Sequence, residues 1–255
     1  MKNYHLNLTE RQIKSWNKLG YLLRPKHLKE NIKDIIKSIS NIEDTDIKKR
    51  KSLFYYEEID SKPRLCRIEK FIDDNKFIHD IVIGDSVLGF VRKLLNKPVC
   101  LYKEKINIKH TGGSGYAAHQ DATAYHKLKG HITCLIAVTE MTLENGCLYL
   151  SKVENKNRVL PHDKNGCIIK NEYIKLNWIP MKMFPGDCLF FNSFIPHKSY
   201  INYSSKSRKA IYLTFNDASE GNLRKKYYAE RDQNLKANKD RISTIGHFQG
   251  KNFKI

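Results

Sequence analysis

The sequence predicts a mainly β domain, a sandwich or barrel of short strands with helices packed outside it. Short apolar or alternating runs follow one another after residue 100, at 101–108, 131–138, 147–150, 188–191 and 209–215. Turn-forming residues separate these runs, as in Asn145-Gly146 and Phe184-Pro185-Gly186-Asp187. Short strands divided by such turns are typical of β-sandwiches and barrels. Patterns with helical spacing are concentrated before residue 100, so we expect helices to cover a β core.

Three helices are predicted in the N-terminal part of the chain. Thr9 and Gln12 have the spacing of a capping box, and Gly20 is a residue type that ends helices. Apolar residues between these positions recur at helical spacing: Ile13, Trp16 and Leu19. Two more apolar sets have the same periodicity, namely Leu28, Ile32, Ile35, Ile36 and Ile39, and then Val87, Phe90, Val91, Leu94 and Leu95. The charged segment 219–240 predicts a further helix near the C-terminus.

Length and composition favour one domain over residues 1–255. With 40% hydrophobic and 11% aromatic residues, a chain of 255 residues can bury a sizeable core. The sequence contains no internal repeat, long linker or low-complexity block. We therefore expect a helical cover over about 1–100, a β core over about 101–218 and a C-terminal helical tail.

The formal net charge of +19 raises the question of a nucleic-acid partner. The excess charge is spread along the chain, and the basic runs at 48–51 and 224–226 are short, with acidic residues nearby. No zinc-finger, helix-turn-helix or RNA-binding signature accompanies them. These observations favour a lysine-rich solvated surface, so we expect no nucleic-acid partner.

The sequence also predicts a cellular compartment. No run approaches about 18 consecutive apolar residues, so we expect no membrane span. Residues 1–12 lack the apolar segment and small-residue cleavage site of a secretory signal. The six cysteines include no Cys-x-x-Cys pair and most lie in apolar runs, which favours free thiols in a reducing compartment. We expect a cytoplasmic, enzyme-sized domain.

A metal site is predicted from three residues. His119-Gln120-Asp121 is the only His-x-Asp in the chain, and on an extended strand positions i and i+2 face the same side. His197, 78 residues after His119, is the candidate third ligand. Two histidines and one carboxylate leave open positions on a metal, which is the facial arrangement of non-haem Fe(II) oxygenases.

Arg208 lies eleven residues beyond His197 and begins an apolar strand. It shares strand parity with Ala210, Tyr212 and Thr214, and a buried arginine is suited to bidentate capture of a carboxylate. The remaining histidines are not assigned to the site. His5, His27, His79 and His247 are predicted at the surface, and His110, His126, His131 and His162 stay undetermined.

With these residues in place, the sequence resembles the phytanoyl-CoA dioxygenase-like group of Fe(II)- and 2-oxoglutarate-dependent oxygenases. The similarity runs from Leu8-Thr9-Glu10-Arg11-Gln12 to Tyr212-Leu213-Thr214-Phe215-Asn216. Between these ends, the stretches similar to the family are Lys105-Ile106-Asn107-Ile108-Lys109, His119-Gln120-Asp121, Glu144-Asn145-Gly146-Cys147-Leu148 and Pro185-Gly186-Asp187. The resemblance implies a double-stranded β-helix, a jelly-roll or cupin-like barrel with flanking helices.

The same resemblance implies roles for individual residues. His119, Asp121 and His197 would hold Fe(II), Arg208 would salt-bridge the far carboxylate of 2-oxoglutarate, and Ser199 and Asn107 would also contact this cosubstrate. The implied cofactors and cosubstrates are Fe(II), 2-oxoglutarate and O2, with ascorbate as the reductant in vitro. One departure from the family pattern follows Leu150, where Pro-Gly-Ser-His is replaced by Ser151-Lys152-Val153-Glu154-Asn155. That loop usually walls the substrate pocket, so the departure bears on substrate identity.

Three stretches are most similar to a branch that hydroxylates 2-aminoethylphosphonate at the carbon next to phosphorus: 119–125, 213–221 and Lys225-Lys226-Tyr227-Tyr228. Lys105, Gln120 and Tyr125 are candidates for binding this small-molecule substrate, although a solvated Lys105 is an equal alternative. An acyl-CoA, a lipid-like molecule or a secondary metabolite is the alternative substrate class. A catalytically silent 2-oxoglutarate- or metal-binding member and a basic nucleic-acid or protein binder are alternatives of another kind. The oligomeric state is left open.

Overall fold

The structure is a computed structural model that describes residues 7–46, 48–125, 128, 130–153, 157–237 and 246–253. The side chains of 232 and 234–237 are outside this description. The sequence-based expectations for His5, His126, Glu154, Asn155 and 238–240 lie outside the described residues.

The helices and strands alternate irregularly along the chain. The helices are α1 (Glu10–Leu19), α2 (Ile32–Glu43), α3 (Lys76–Ile83), α4 (Phe90–Leu95), α5 (Lys170–Tyr173) and α6 (Arg224–Ala237). The strands are β1 (Tyr21–Arg24), β2 (Leu53–Ile59), β3 (Lys62–Glu69), β4 (Val99–Lys109), β5 (Tyr116–His119), β6 (His131–Ala137), β7 (Leu148–Ser151), β8 (Trp178–Met181), β9 (Cys188–Asn192), β10 (His197–Ser199), β11 (Arg208–Asp217) and β12 (Asn252–Phe253).

Two antiparallel sheets form the core of the molecule. The larger sheet has the order β1-β9-β6-β11-β4-β3-β2-β12, and the smaller sheet has the order β5-β10-β7-β8. Alternate residues of the large sheet face opposite sides. On β6, Leu135 and Ala137 pack between the sheets with Leu148 and Leu150 of β7, whereas Ile136 packs toward the helices. The predicted mainly β fold, a double-stranded β-helix with flanking helices, is confirmed.

The region predicted as a helical cover also supplies three strands of the large sheet, β1, β2 and β3. Strands β2 and β3 form a hairpin whose turn residues Asp60 and Ser61 have φ of 50° and 58°. Such left-handed turns match the twist of paired strands. The aromatic run Phe54-Tyr55-Tyr56 has high β-propensity, so this difference could have been read from local sequence.

The predicted start and end of α1 are confirmed. The Thr9 side chain accepts a hydrogen bond from the Gln12 backbone N–H, and the Gln12 side chain accepts one from the Thr9 N–H. Gly20 ends the helix with φ of 72°, in the left-handed region that favours glycine. A Cβ at this position would also lie 2.9 Å from Asn192 Nδ2, so the tight passage from α1 into β1 requires glycine.

Helix α6 holds the middle of β4. Arg224 donates to both carboxylate oxygens of buried Glu104, and the Tyr228 hydroxyl donates to the Glu104 carbonyl. The predicted C-terminal helix is therefore present over Arg224–Ala237. All six cysteines are free. No helix in the described part of the chain has both the length and the apolar character needed to cross a bilayer.

Candidate active site

Two strands of the small sheet bring the predicted metal ligands together. His119 ends β5 and lies opposite His197, which begins β10. Asp121 follows in a short 3-10 turn, Asp121–Thr123, rather than on the extended strand that the sequence argument used. The Nε2 atoms of His119 and His197 lie 4.0 and 3.9 Å from Asp121 Oδ1. One ligand atom from each residue lies within 4.8 Å of the others, close enough to share one ion.

Backbone carbonyls set which ring nitrogen each histidine presents. His119 Nδ1 lies 2.7 Å from the Ala117 carbonyl oxygen, and His197 Nδ1 lies 2.9 Å from that of Ile195. A carbonyl oxygen can only accept, so both Nδ1 atoms carry the proton and both Nε2 atoms are acceptors. Metal-ligating histidines have this arrangement, in which the other ring nitrogen donates to a fixed partner.

The electrostatics of the three residues also favour a cation. Burial, together with His247 and His197, holds the pKa of His119 well below its usual range. Burial alone would raise the pKa of Asp121, but His197, Lys103 and Lys105 together lower it. The site therefore offers two neutral imidazoles and one carboxylate. These are the protonation states that a bound metal requires.

Arg208 is buried in the barrel interior, in a cavity that adjoins the cavity of the three ligands. Its Nε and Nη1 atoms have no hydrogen-bond partner among the described residues. It lies opposite Lys109 on β4, and both side chains line a cavity that shares Asn107 and Tyr116 with the cavity of the three ligands. An unpaired buried guanidinium is costly, so this environment fits a carboxylate that the protein itself does not supply.

The other two residues predicted to contact the cosubstrate line the cavity of the three ligands. Ser199 Oγ accepts a hydrogen bond from Lys109 Nζ at 3.0 Å. Asn107 Oδ1 accepts one from Arg67 Nε at 3.1 Å. Burial and Arg208 hold the pKa of Lys109 well below its usual range. Lys109 is a further residue at this end that the sequence analysis did not single out.

The predicted substrate residues have different surroundings. Lys105 lines the ligand cavity with its Nζ 5.1 Å from the Tyr212 ring centre, so it is not a solvated strand lysine. Tyr125 is buried nearby, with Lys103 Nζ 4.2 Å from the centre of its ring.

Gln120 requires a correction, because its side chain is fully occupied by backbone partners. Its amide nitrogen donates to the carbonyls of Arg158 and Phe194, and its Oε1 accepts from the Leu160 N–H at 2.7 Å. These partners direct its side chain toward the loops around Arg158 and Phe194. Gln120 therefore holds the loop after β7 against the loop before β10 and is not available to a substrate.

Two histidines predicted at the surface are buried instead. His27 donates from Nε2 to the Ser86 carbonyl at 2.7 Å. His247 is 7% exposed, and its ring stacks on that of His119 with centres 4.0 Å apart. The segment 246–253 carries it there, held by pairing of β12 with β2 and by the Ala117 N–H donating to the His247 carbonyl. No local sequence pattern around His247 signals this long-range contact. His79 is exposed as predicted.

The cavity containing the three ligands is small and partly open to solvent. It is lined by His119, Asp121, His197, Lys105, Asn107 and Ser199, among others. A concave site with a few converging polar groups is typical of small-molecule binding. The donor set fits a ferrous ion, and the Arg208 end fits a dicarboxylate.

Similarity to known proteins agrees with this geometry. Residues 16–210 match the family model described as phytanoyl-CoA dioxygenase (PhyH). The chain is 39% identical to methylphosphonate hydroxylase of Gimesia maris, covering 96% of each chain. It is 34% identical to 2-aminoethylphosphonate dioxygenase of uncultured bacterium HF130_AEPn_1, covering 92% of this chain and 91% of the relative.

A solved structure supports the fold. The epimerase SnoN from nogalamycin biosynthesis, in complex with Fe3+, alpha ketoglutarate and nogalamycin RO, superposes with a TM-score of 0.67. The match covers 82% of this chain and 83% of that chain at 15% identity. The family match spans most of the chain, and the two relatives exceed 30% identity over nearly all of it. The chain therefore belongs to the phytanoyl-CoA dioxygenase family of iron- and 2-oxoglutarate-dependent oxygenases.

Proposed function

We propose that the protein hydroxylates 2-aminoethylphosphonate at the carbon next to phosphorus, with Fe(II), 2-oxoglutarate and O2. Two observations together support this chemistry. His119, His197 and Asp121 present two Nε2 atoms and one carboxylate to a common point, and the buried guanidinium of Arg208 has Nε and Nη1 without a partner among the described residues. The substrate class is supported by the two relatives, whose names refer to phosphonates.

In this proposal His119, Asp121 and His197 hold the metal. Ferrous iron, when bound, supplies the oxidising chemistry, in which 2-oxoglutarate and O2 give succinate and CO2 and one oxygen atom enters a C–H bond of the substrate. The Ala117 and Ile195 carbonyls keep both imidazoles oriented. The Thr133 hydroxyl donates to Asp121 Oδ2 at 3.3 Å and leaves Oδ1 toward the histidines.

Arg208 anchors the far carboxylate of 2-oxoglutarate in this assignment. Its Nε and Nη1 atoms have no hydrogen-bond partner among the described residues, so the guanidinium is left to bind a carboxylate, a group that arginine holds better than lysine. Ser199 and Asn107 lie between Arg208 and the metal ligands and contribute polar contacts along the cosubstrate. Apolar walls, such as Leu148 and the Phe191 ring 5.1 Å from His197, keep water from the reacting groups.

Methylphosphonate is the second candidate substrate. The relative named for it shares the higher identity of the two, 39% against 34%. Both molecules offer the same phosphonate group and the same C–H bond next to phosphorus. We also place the reaction in the cytoplasm, a proposal supported by the six free thiols.

The test is succinate formation from 2-oxoglutarate by the purified protein with Fe(II), ascorbate and O2, with and without each phosphonate. Strong stimulation by either phosphonate is expected in the wild type, with none in His197→Ala. Iron-dependent turnover that neither phosphonate changes would contradict the substrate and favour an acyl-CoA, lipid-like or secondary-metabolite substrate. The absence of turnover with any of these molecules would favour a silent member of the family.

A further inference from the structure

We infer that the phosphonate group binds to Lys103 and Lys105, in a compartment on the side of the metal ligands away from Arg208. This inference rests on the proposed function, since it names the place where the proposed substrate binds. The cationic compartment is defined here by Arg67, Lys103, Lys105, Tyr125, Tyr227 and His247. It adjoins the ligand cavity, and Lys105, Asp121 and His247 line both.

The cationic compartment holds more positive than negative charge. Arg67, Arg231, Lys103 and Lys105 border it, while its carboxylates are Glu69 and Asp121. Glu69 contacts both arginines, at 3.5 Å from Arg67 Nη1 and 2.8 Å from Arg231 Nε.

The two lysines lie near Asp121 but form no salt bridge with it. In the described part of the chain, neither Lys103 nor Lys105 is in ion-pair contact with a carboxylate. Lys103 is 6% exposed, with its Nζ 4.2 and 5.9 Å from the ring centres of Tyr125 and Tyr227. A buried ammonium without an anion is strongly disfavoured. Buried Lys103 and half-buried Lys105 lie on one strand and together are suited to a dianion that arrives with the substrate.

The cosubstrate does not satisfy these lysines. Lys103 pairs with Thr214 and Lys109 pairs with Arg208, so these two lysines lie six residues apart on the interior face of β4. At about 3.3 Å per residue this separation is roughly 20 Å along the strand. A five-carbon dicarboxylate held by Arg208 is far shorter than that. A second anion is therefore needed at the Lys103 end.

The chemistry of the cationic compartment suits a phosphonate more than a carboxylate. Lysine binds phosphate-like groups as a compact charge, and several donors can surround a tetrahedral anion. Thr214 of β11 pairs with Lys103 of β4 on one side and with Thr133 of β6 on the other. Thr133 in turn donates a hydrogen bond to the proposed metal ligand Asp121. A phosphonate seated there places its attached carbon nearest to the metal ligands. This placement accounts for hydroxylation at the carbon next to phosphorus.

The test compares Lys103→Met and Lys105→Met with Lys209→Met as a matched control. Lys209 lies on the adjoining strand β11, is partly buried and contacts Glu43 at 2.7 Å, facing away from the barrel interior. Binding of methylphosphonate, 2-aminoethylphosphonate and inorganic phosphate is measured by calorimetry on the Fe(II)- and 2-oxoglutarate-loaded protein without O2. Replacing a buried charge by a similar apolar chain is not expected to unfold the protein.

We expect each interior methionine variant to weaken phosphonate binding at least about tenfold while 2-oxoglutarate binding changes less than about twofold. Lys209→Met should bind like the wild type, and Lys103→Arg should recover most of the affinity. In the wild type, inorganic phosphate should compete with the phosphonate and not with 2-oxoglutarate. These results would support the assignment.

Unchanged phosphonate affinity in both interior variants would overturn the assignment, and so would an equal loss of 2-oxoglutarate affinity. If the wild type turns over no phosphonate, the proposed function is wrong, whether or not the two lysines bind an anion. Loss of inorganic phosphate binding in Lys103→Met would then still support an anion site there, and the absence of all phosphate and phosphonate binding in the wild type would overturn it.

Discussion

The imidazole rings of His119 and His247 stack with their centres 4.0 Å apart and their planes inclined by 35°. His119 is a predicted metal ligand, and His247 comes from the segment near the C-terminus. The second ring covers a face of the first and also lines both the ligand cavity and the cationic compartment. The C-terminal segment therefore completes the wall of the site.

Replacing His247 by alanine should weaken Fe(II) binding by about two- to tenfold, because aromatic pairs contribute about 0.5–1.5 kcal/mol. His247→Phe keeps a stacked ring and should bind Fe(II) nearly as the wild type does. The measurement is an anaerobic Fe(II) titration of the three proteins. Equal affinities for wild type and His247→Ala would show that the stacking does not hold His119 in place.

Replacing Arg208 by alanine should raise the KM for 2-oxoglutarate by at least about 30-fold, since losing one partner of a buried charge pair costs about 2–5 kcal/mol. The KM for the phosphonate should change little, because the cationic compartment lies at the other end of β4. The KM of Arg208→Lys for 2-oxoglutarate should lie between those of the wild type and Arg208→Ala, because lysine keeps the charge but cannot make the bidentate contact. A parallel rise in both KM values would indicate a merely structural arginine.

Replacing Gln120 by methionine should lower the free energy of unfolding by about 1–3 kcal/mol, because the buried Leu160 N–H loses its acceptor. For a chain of this size the melting temperature should fall by roughly 2–4 °C per kcal/mol. Exposed Gln233 provides the control, and Gln233→Met should melt like the wild type. If Gln120→Met instead raises the KM for the phosphonate and leaves the melting temperature unchanged, Gln120 contacts the substrate.

His131 should make the metal-free protein less stable in acid. Burial lowers its pKa to about 4, against about 6.5 in an unfolded chain. Between these values the unfolded state binds more protons, so the free energy of unfolding is highest above pH 6.5 and falls toward pH 4. Between pH 6.5 and pH 4, His131 alone lowers the free energy of unfolding by about 3 kcal/mol at most.

The measurement for His131 is denaturant unfolding of wild type and His131→Phe across that pH range. The variant should lose less stability between pH 6.5 and 4 than the wild type does. Parallel pH profiles for the two proteins would show that His131 is not the group that responds.

Local sequence signals predicted much of the fold and the candidate ligand set. The capping box of α1 depends on residues three apart, and the alternating runs predicted β6, β9 and β11 closely. The ordered set His119, Asp121, His197 and Arg208 predicted one site. In the structure these side chains line two adjoining cavities of the barrel interior. Patterns of this kind are readable because each is repeated or ordered along the chain.

The remaining features depend on contacts that no local pattern records. Gln120 is adjacent to two predicted ligands, yet its direction is set by the carbonyls of Arg158 and Phe194. His247 reaches the site only because β12 pairs with β2. Lys103 is a lysine among many in a chain of net charge +19, and its burial beside the ligand cavity is a feature of the fold that no local pattern records.

The most direct test of the central claim is phosphorus NMR of the product, combined with succinate quantification. After incubation with 2-aminoethylphosphonate, Fe(II), 2-oxoglutarate and O2, we expect one new phosphorus signal from a product hydroxylated at the carbon next to phosphorus. One succinate should form per hydroxylated phosphonate, and methylphosphonate should be tested in parallel. Succinate formation with every phosphonate signal unchanged, or hydroxylation at the carbon bearing nitrogen, would contradict the account.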